Sequence, residues 1–259
     1  MLDKIYGLVN NTQLYNHLRF SGLSNVIFEL LTNKTKKTET YFRDIIGNES
    51  AKGNIAFDIG ANKGNKVAAL LRMGFSVYAI EPEKMSLDTL KYRYKNNKEV
   101  TILPVGISNQ PGKLTMYIYA YRSGYNTLSE ASTGKSYSNK EEKLKVKETY
   151  KVDVTTLDAL VKKYGKPYFI KIDVEGFEKN VIEGLSEKIP YISFEANLPD
   201  FINETRQIID KLLQIEPATL FAISENEQLK FNGWKSGTAT KQMLDEAGKV
   251  CWEIIAKTV

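Results

Sequence analysis

The sequence predicts an α/β protein built on a mostly parallel sheet. Short, nearly continuous apolar runs recur along the chain, as strands buried on both faces require. Stretches with helical apolar spacing separate them. Glycine or proline closes several of the runs, which is the punctuation of a strand turning into a crossover helix. Strand and helix alternate in this way from about residue 54 onward, the rhythm of a parallel sheet with crossover helices.

The first 50 residues read differently. Leu14, Leu18 and Leu23, then Val26, Ile27, Leu30 and Leu31, recur at helical spacing, and Ser24 is a candidate N-cap. With no strand signal, residues 1–50 are expected to form a helical cap on a domain spanning 51–259. The run Asn54 to Gly60 is the first strand, and the helix through Val67, Leu70 and Leu71 stops near Gly74. Ser76 to Ile80 is the second strand, ended by Pro82, and a helix through Leu87 and Leu90 follows. Val100 to Ile107 reads as a third run.

From Gly112 to Asp153 the rhythm breaks. Leu114, Met116, Ile118 and Ala120 alternate with Thr115, Tyr117, Tyr119 and Tyr121, as in a half-exposed strand. Ser129 to Glu148 is polar with mixed charge and reads as a solvated loop. Lys151 to Val154 reads as a returning strand, so 112–153 is a β insertion. Thr155-Thr156-Leu157-Asp158 resembles a capping box, with Asp for the usual Glu. The α/β order then resumes. Tyr168 to Val174 and Tyr191 to Glu195 are strands flanking a helix through Val181 and Leu185. A helix from Asn203 to Leu213, a strand from Ala218 to Ile223 and a last strand from Trp252 to Ala256 complete the chain.

Composition excludes several chemistries. The 259 residues suffice for one large domain with its own core. There is one histidine, His17, and one cysteine, Cys251. That rules out a disulfide framework and a His/Cys zinc site. It leaves at most one serine–histidine triad, with His17 as its base. Reactivity must therefore rest on Asp, Glu, Lys, Tyr, amides or a cofactor. His17 is expected to be a surface or packing residue, and Cys251 a buried small apolar group. Net charge is +5 without a clustered basic patch, so no nucleic-acid partner is expected. With no basic segment leading an apolar run, and no stretch near the roughly 18 apolar residues of a membrane span, a cytoplasmic protein is expected.

The first strand turns into its helix through Asp58-Ile59-Gly60-Ala61-Asn62-Lys63-Gly64. Glycine there permits a tight turn and close approach of a ligand, and the helix start offers free N–H groups. Glu81 closes the second strand, placed to accept hydrogen bonds from a ribose diol. A dinucleotide fingerprint needs G-x-G-x-x-G, whereas Asn62 stands at the second glycine position and no third glycine is in register. S-adenosylmethionine has no phosphate to seat and carries an ammonium group and a ribose, which Asp58 and Glu81 suit. The pattern favours it over a dinucleotide. A glycine turn with no ligand is the bland alternative.

A second acidic cluster, Lys171-Ile172-Asp173-Val174-Glu175-Gly176-Phe177-Glu178, ends a predicted central strand. Lys171, Asp173 and Glu175 share one face if that strand stays extended. Glu195, with Asn197 beyond, ends the next strand at the same edge. Without a histidine nearby, Asp173 or Glu175 is the candidate base or orienter of a substrate hydroxyl. Lys171 can lower a hydroxyl's pKa or pair with these acids. A salt-bridge network that merely caps the sheet is the alternative. Asp173, Glu195 and Asn197 offer oxygen ligands to a divalent ion such as Mg2+, but three scattered oxygens are thin grounds and no metal is expected. Tyr117, Tyr119, Tyr121 and Tyr125 are either a packed strand face or a stacking wall for a sugar or adenine, and Trp234 can serve in the same two ways.

Together these residues resemble the FkbM family of S-adenosylmethionine-dependent methyltransferases. The resemblance rests on the segments Asp58 to Gly64, Ile80-Glu81-Pro82, Val105-Gly106-Ile107-Ser108, Ser123 to Leu128 and Lys171 to Glu178, and covers about 53–197. It implies a Rossmann-like class I sheet of seven strands with a reversed last strand. It implies O-methylation of a hydroxyl on a sugar, polysaccharide or natural product, hence a small-molecule or glycan acceptor. Gly60, Ala61 and Asn62 would then contact the methionine part, with Gly64 and Asn65 beside them. Glu81 and Pro82 would meet the ribose, and Gly106, Ile107 and Ser108 the adenine side. Asp173 and Glu175, with Lys171 and Glu195, would lie near the transferring methyl. An N-methyltransferase and a non-catalytic cofactor-binding domain are the alternatives. Residues 1–50 and the loop 129–148 fall outside the resemblance and are expected to shape the acceptor pocket.

Overall fold

The computed structural model describes residues 34–47, 51–119, 123–132, 145–230 and 233–258. His17, Tyr121, the helices expected before residue 34 and most of the polar loop lie outside the described residues. In chain order the elements are α1 (Lys34–Ile46), β1 (Ile55–Ile59), α2 (Asn65–Met73), β2 (Ser76–Ile80), α3 (Lys84–Tyr94), β3 (Val100–Leu103), β4 (Gly106–Ile107), β5 (Gly112–Tyr119) and β6 (Val146–Thr155). There follow α4 (Leu157–Tyr164), β7 (Phe169–Ile172), α5 (Glu178–Glu183), β8 (Tyr191–Leu198), α6 (Ile202–Ile215), β9 (Leu220–Glu225), β10 (Gln228–Leu229), α7 (Gly237–Glu246) and β11 (Val250–Lys257).

The main sheet has the strand order β10-β9-β11-β8-β7-β1-β2-β3. From β3 to β8 every pair is parallel, and β11 runs antiparallel to both β8 and β9. The seven strands with a reversed last one are therefore present, and the two-residue β10 adds an antiparallel edge. Successive side chains alternate between two covered faces. On one face Phe57, Ile59, Ile170, Ile172, Phe194 and Ile254 join apolar residues of α4, α5, α6 and α7. On the other, Ala56, Val77, Ala79, Phe169 and Ile255 meet Phe42 and Ile45 of α1, Val67 and Leu70 of α2, and Leu90 of α3. Double coverage explains why the strands read as continuous apolar runs.

Local chemistry fixes the helix ends. Glu83 caps α3 by accepting from the Met85 and Ser86 N–H groups at 2.9 and 2.7 Å. Gly74 ends α2 at φ 104° and donates to the carbonyls of Leu70 and Leu71, a conformation that costs a Cβ-bearing residue more. The expected box before α4 is built differently. Thr156 is the cap, accepting from Ala159 N–H, while Asp158 reaches across to the Ser186 N–H and hydroxyl.

Two strand assignments are corrected. The run expected as one strand over 100–107 divides at Pro104: β3 stays in the main sheet and β4 joins a second, three-stranded sheet. Pro104 has no N–H to give a ladder, and β3 ends just before it. In that second sheet β5 and β6 are antiparallel, as expected of the insertion, but β6 starts at Val146 and runs to Thr155. Cys251 is exposed rather than buried. Its neighbour Trp252 turns inward on alternate-residue logic and is the buried one.

Phe194 lies in the centre of the sheet with no exposed surface. Truncation there removes packing that the rigid sheet cannot close. Phe194→Ala is expected to lower the unfolding free energy by about 3–5 kcal/mol, read from urea titration with an unchanged m-value.

Candidate active site

The carboxyl ends of β1, β2 and β7 converge on one side of the sheet. The chain leaves β1 through Gly60, whose N–H, like that of Ala61, donates to the Ile80 carbonyl at 2.9 and 3.1 Å. Gly60 has φ 80°, and a Cβ there would overlap the carbonyl oxygen of Asp173. The glycine loop and the end of β7 therefore touch backbone to backbone, which no larger residue permits. Asn62, at φ 47°, points its N–H at Glu81 Oε2, 2.8 Å away. Glu83 N–H holds Oε1 at the same distance.

These elements enclose a cavity of about 350 Å³, within the size range of small-molecule sites. Of the positions the sequence assigned to a cofactor, all but Gly64 and Ser108 line it. Gly64 instead packs beneath Tyr94, whose hydroxyl donates to its carbonyl at 2.6 Å. Ser108 stitches β4 to β6 through its N–H to the Thr155 carbonyl. Met116, Gly124, Asn126, Thr127 and Leu128 supply a wall from the insertion. Thr127 fixes that wall by donating to the carbonyls of Val174 or Glu175 at 3.2 and 3.0 Å. Tyr117, Tyr119 and Tyr125 do not line the cavity, and Trp234 packs near Tyr191 and Lys257.

Asp58 and Glu81 are buried acids. Neither oxygen of Asp58 has a hydrogen-bond partner among the described residues. Burial pushes its carboxyl up to about 6, although Lys66 and Lys171 oppose the rise. Burial pushes Glu81 up to about 7 against the two N–H donors that favour its ionised form. A buried carboxylate with no hydrogen bond is costly, which sets Asp58 apart from Glu81, whose two oxygens each accept an N–H.

The second cluster is arranged otherwise than expected. β7 ends at Ile172, so Glu175 does not continue the strand face of Lys171 and Asp173. The chain turns left-handed at Glu175 and Gly176, with φ 56° and 89°. Glu178 Oε1 accepts from the Val174 and Gly176 N–H groups inside this turn. Asp173 and Glu175 line the cavity, whereas Lys171 and Glu195 do not. Carboxylate oxygens of Asp173, Glu175 and Glu195 lie within 4.8 Å of one another.

The sequence reading missed Lys66, in the first turn of α2. Its ammonium pairs with Asp173 Oδ2 at 2.7 Å. Lys171, itself buried, donates to the Ile172 carbonyl at 3.0 Å and lies 3.9 Å from Asp173 Oδ2 and 3.8 Å from Glu253 Oε1. Burial alone would raise Asp173, but the two ammonium groups hold it well below the usual carboxylate range. Glu175 and Glu195 are driven the other way. Burial comes first for both; the charges of Glu195 and Asp173 add to it at Glu175, and the charge of Asp173 adds to it at Glu195. Helical position relative to Gly64 was the only signal for Lys66, because its partner is 107 residues away.

A sheet with this strand order, and a cavity of this kind at the carboxyl ends of its strands, define a Rossmann-like class I methyltransferase. A model of the methyltransferase FkbM domain matches residues 58–218, more than half of the sequence. The chain belongs to the FkbM family and is an S-adenosylmethionine-dependent methyltransferase. No curated protein matches it. Solved structures show a likeness at low identity. Precorrin 8W decarboxylase from Methanobacterium thermoautotrophicum is 12% identical, with TM-score 0.46 over 85% of this chain and 89% of that one. The plantazolicin methyltransferase BpumL, solved with S-adenosylhomocysteine, is 11% identical, with TM-score 0.45 over 91% and 89%. Precorrin-6y C5,15-methyltransferase from Geobacter metallireducens is 11% identical, with TM-score 0.42 over 83% and 88%.

Two outcomes follow from this geometry. Gly60→Ala is expected to abolish measurable S-adenosylmethionine binding by calorimetry and to lower stability by at least the roughly 1–2 kcal/mol cost of a left-handed alanine. Asp58 keeps its proton to a higher pH in the folded than in the unfolded chain. Its contribution to stability without ligand is thus present below about pH 4 and lost as pH rises to about 6. Asp58→Asn is expected to remove this loss, raising the Tm at pH 7.5 but not at pH 4, while weakening S-adenosylmethionine binding at least tenfold. Thermal scans across pH with parallel calorimetry check both halves.

Proposed function

We propose that the protein O-methylates a hydroxyl of a sugar, polysaccharide or natural product. Bound S-adenosylmethionine supplies a methyl group on a sulfonium that is already a good leaving group. The residues then need to orient, to exclude water and to take one proton. Asp58 receives the ammonium of the amino-acid part, beside the backbone of Gly60, Ala61 and Asn62. Glu81 retains lone pairs on both oxygens and receives the ribose diol, with Pro82 alongside. Gly106, Ile107, Met116 and Leu128 give the adenine an apolar slot.

The observation that carries the reading is the division of labour between Asp173 and Glu175. They share the cavity, yet their surroundings push their proton affinities apart, which is how paired acids acquire different roles. Asp173 is fixed as an anion by Lys66, so it accepts and aims the hydroxyl without taking its proton. Glu175, crowded by acids, has the higher proton affinity and is the better general base. Glu195 maintains that affinity, and Lys171 keeps Asp173 and Glu253 from repelling each other.

Calorimetry with S-adenosylmethionine is the first test, and absence of binding at millimolar cofactor would sink the reading. Transfer from radiolabelled S-adenosylmethionine to a panel of neutral glycosides and polysaccharides is the second. On an acceptor so found, Glu175→Gln is expected to lower kcat about 10²–10⁴-fold with the cofactor Kd within twofold of wild type. Because the base must be ionised, kcat should fall as pH drops through an apparent pKa above the ordinary glutamate range. A flat profile from pH 5 to 9 would remove Glu175 from this role.

A further inference from the structure

The cavity extends beyond the residues matched by the family. Lys34 and Thr38 of α1 and Glu227 of the β9–β10 turn line it together with Asp173 and Glu175. All three lie outside 58–218. The charge of Lys34 reaches Asp173 and contributes to its lowered proton affinity, which puts this wall toward the Asp173 end of the cavity.

The wall is built with some care. Glu225 and Gln228 pair across a two-residue turn. Its central residues Asn226 and Glu227 both have positive φ, 53° and 59°. Glycine is the usual second residue of such a turn. A glutamate held there keeps a side chain where the backbone would sooner have none. That side chain is anchored: Thr38 Oγ1 donates to Glu227 Oε1 at 2.7 Å. The main chain is tied as well, by Lys37 Nζ to the Asn226 carbonyl at 2.9 Å. Deeper in the same seam, Tyr41 and Ser224 share a buried hydrogen bond of 2.5 Å. Glu227 Oε2 has no hydrogen bond among the described residues.

We infer that Glu227, anchored on α1, selects the acceptor by receiving a hydrogen bond from a second hydroxyl of a neutral polyol whose other hydroxyl is methylated. The inference rests on the O-methylation reading and deepens it. Two fixed carboxylates at one end of a cavity, Asp173 and Glu227, match two hydroxyls on one ring. With Lys66 paired to Asp173, a phosphate-bearing acceptor would meet Glu175 and Glu227 beside Lys34 and is expected to bind less well than a neutral one. Thr38 is a positioning residue, acting only through Glu227.

The test uses the full chain saturated with S-adenosylhomocysteine. Saturation-transfer NMR is recorded with methyl glycosides of neutral hexoses and 6-deoxyhexoses, with glucosamine and with hexose phosphates. Neutral glycosides are expected to bind, and hexose phosphates to bind less well. Glu227→Gln keeps an oxygen for Thr38 to bond, so its Tm should stay that of wild type while glycoside Kd rises at least fivefold. Thr38→Val, which loses the anchor but keeps the carboxylate, should weaken glycosides less. Hexose phosphate or glucosamine binding in preference, failure of every neutral glycoside to bind, or an unchanged glycoside Kd in Glu227→Gln would each overturn the inference. A chain that does not take up S-adenosylhomocysteine at all would instead overturn the reading beneath it.

Discussion

Lys66 and Lys171 make the rest of the site possible. Asp58, Asp173, Glu195 and Glu253 all project from one face of the sheet, on neighbouring strands, where a low dielectric magnifies their repulsion. Lys171 projects from the middle of that face, buried between Asp173 and Glu253. Lys66 reaches down from α2 onto Asp173. The two ammonium groups do not neutralise every acid. They settle on Asp173, and the surplus negative charge is left to Glu175 and Glu195. One carboxylate is thus stabilised as an anion while its neighbour gains proton affinity, and both effects come from the same arrangement.

Such a site is expensive for the fold that carries it. Asp58, Glu81 and Glu178 are all buried acids whose proton affinities are raised, first of all by burial. Each opposes folding near neutral pH, when the unfolded chain would release its proton freely. The doubly covered sheet supplies the compensation. Phe57, Ile170, Ile172 and Phe194 are fully buried directly behind the polar edge, which gives the loops after β1 and β7 a rigid base. Preorganisation then follows, because the acids cannot relax away from one another.

The contact between α1 and the β9–β10 turn extends this logic to the acceptor end. Its ties are polar and few: Thr38 to Glu227, Lys37 to Asn226 and Tyr41 to Ser224. α1 is also held by Phe42, which packs edge-on against Phe169 with ring centroids 5.2 Å apart. An apolar anchor on the sheet and a polar rim over the cavity fix the helix in place.

The sequence by itself determined the sheet, most of its helices, and the two acidic loops. Those features are written in local pattern: apolar runs set by burial on both faces, Gly60 and Gly64 at turns that need positive φ, and Glu81 one residue past its strand. Proline at 104 was legible too, though its consequence, a strand divided between two sheets, was not. Only the tertiary structure decided which acids face the cavity and what state they take. Asp173 and Glu175 are two residues apart, yet the turn at Glu175 and a lysine 107 residues distant from Asp173 send their proton affinities in opposite directions. The same holds for Glu227, whose partner Thr38 is 189 residues away. Charge interactions depend on distance and burial through space, and neither is recorded in the spacing of residues along a chain.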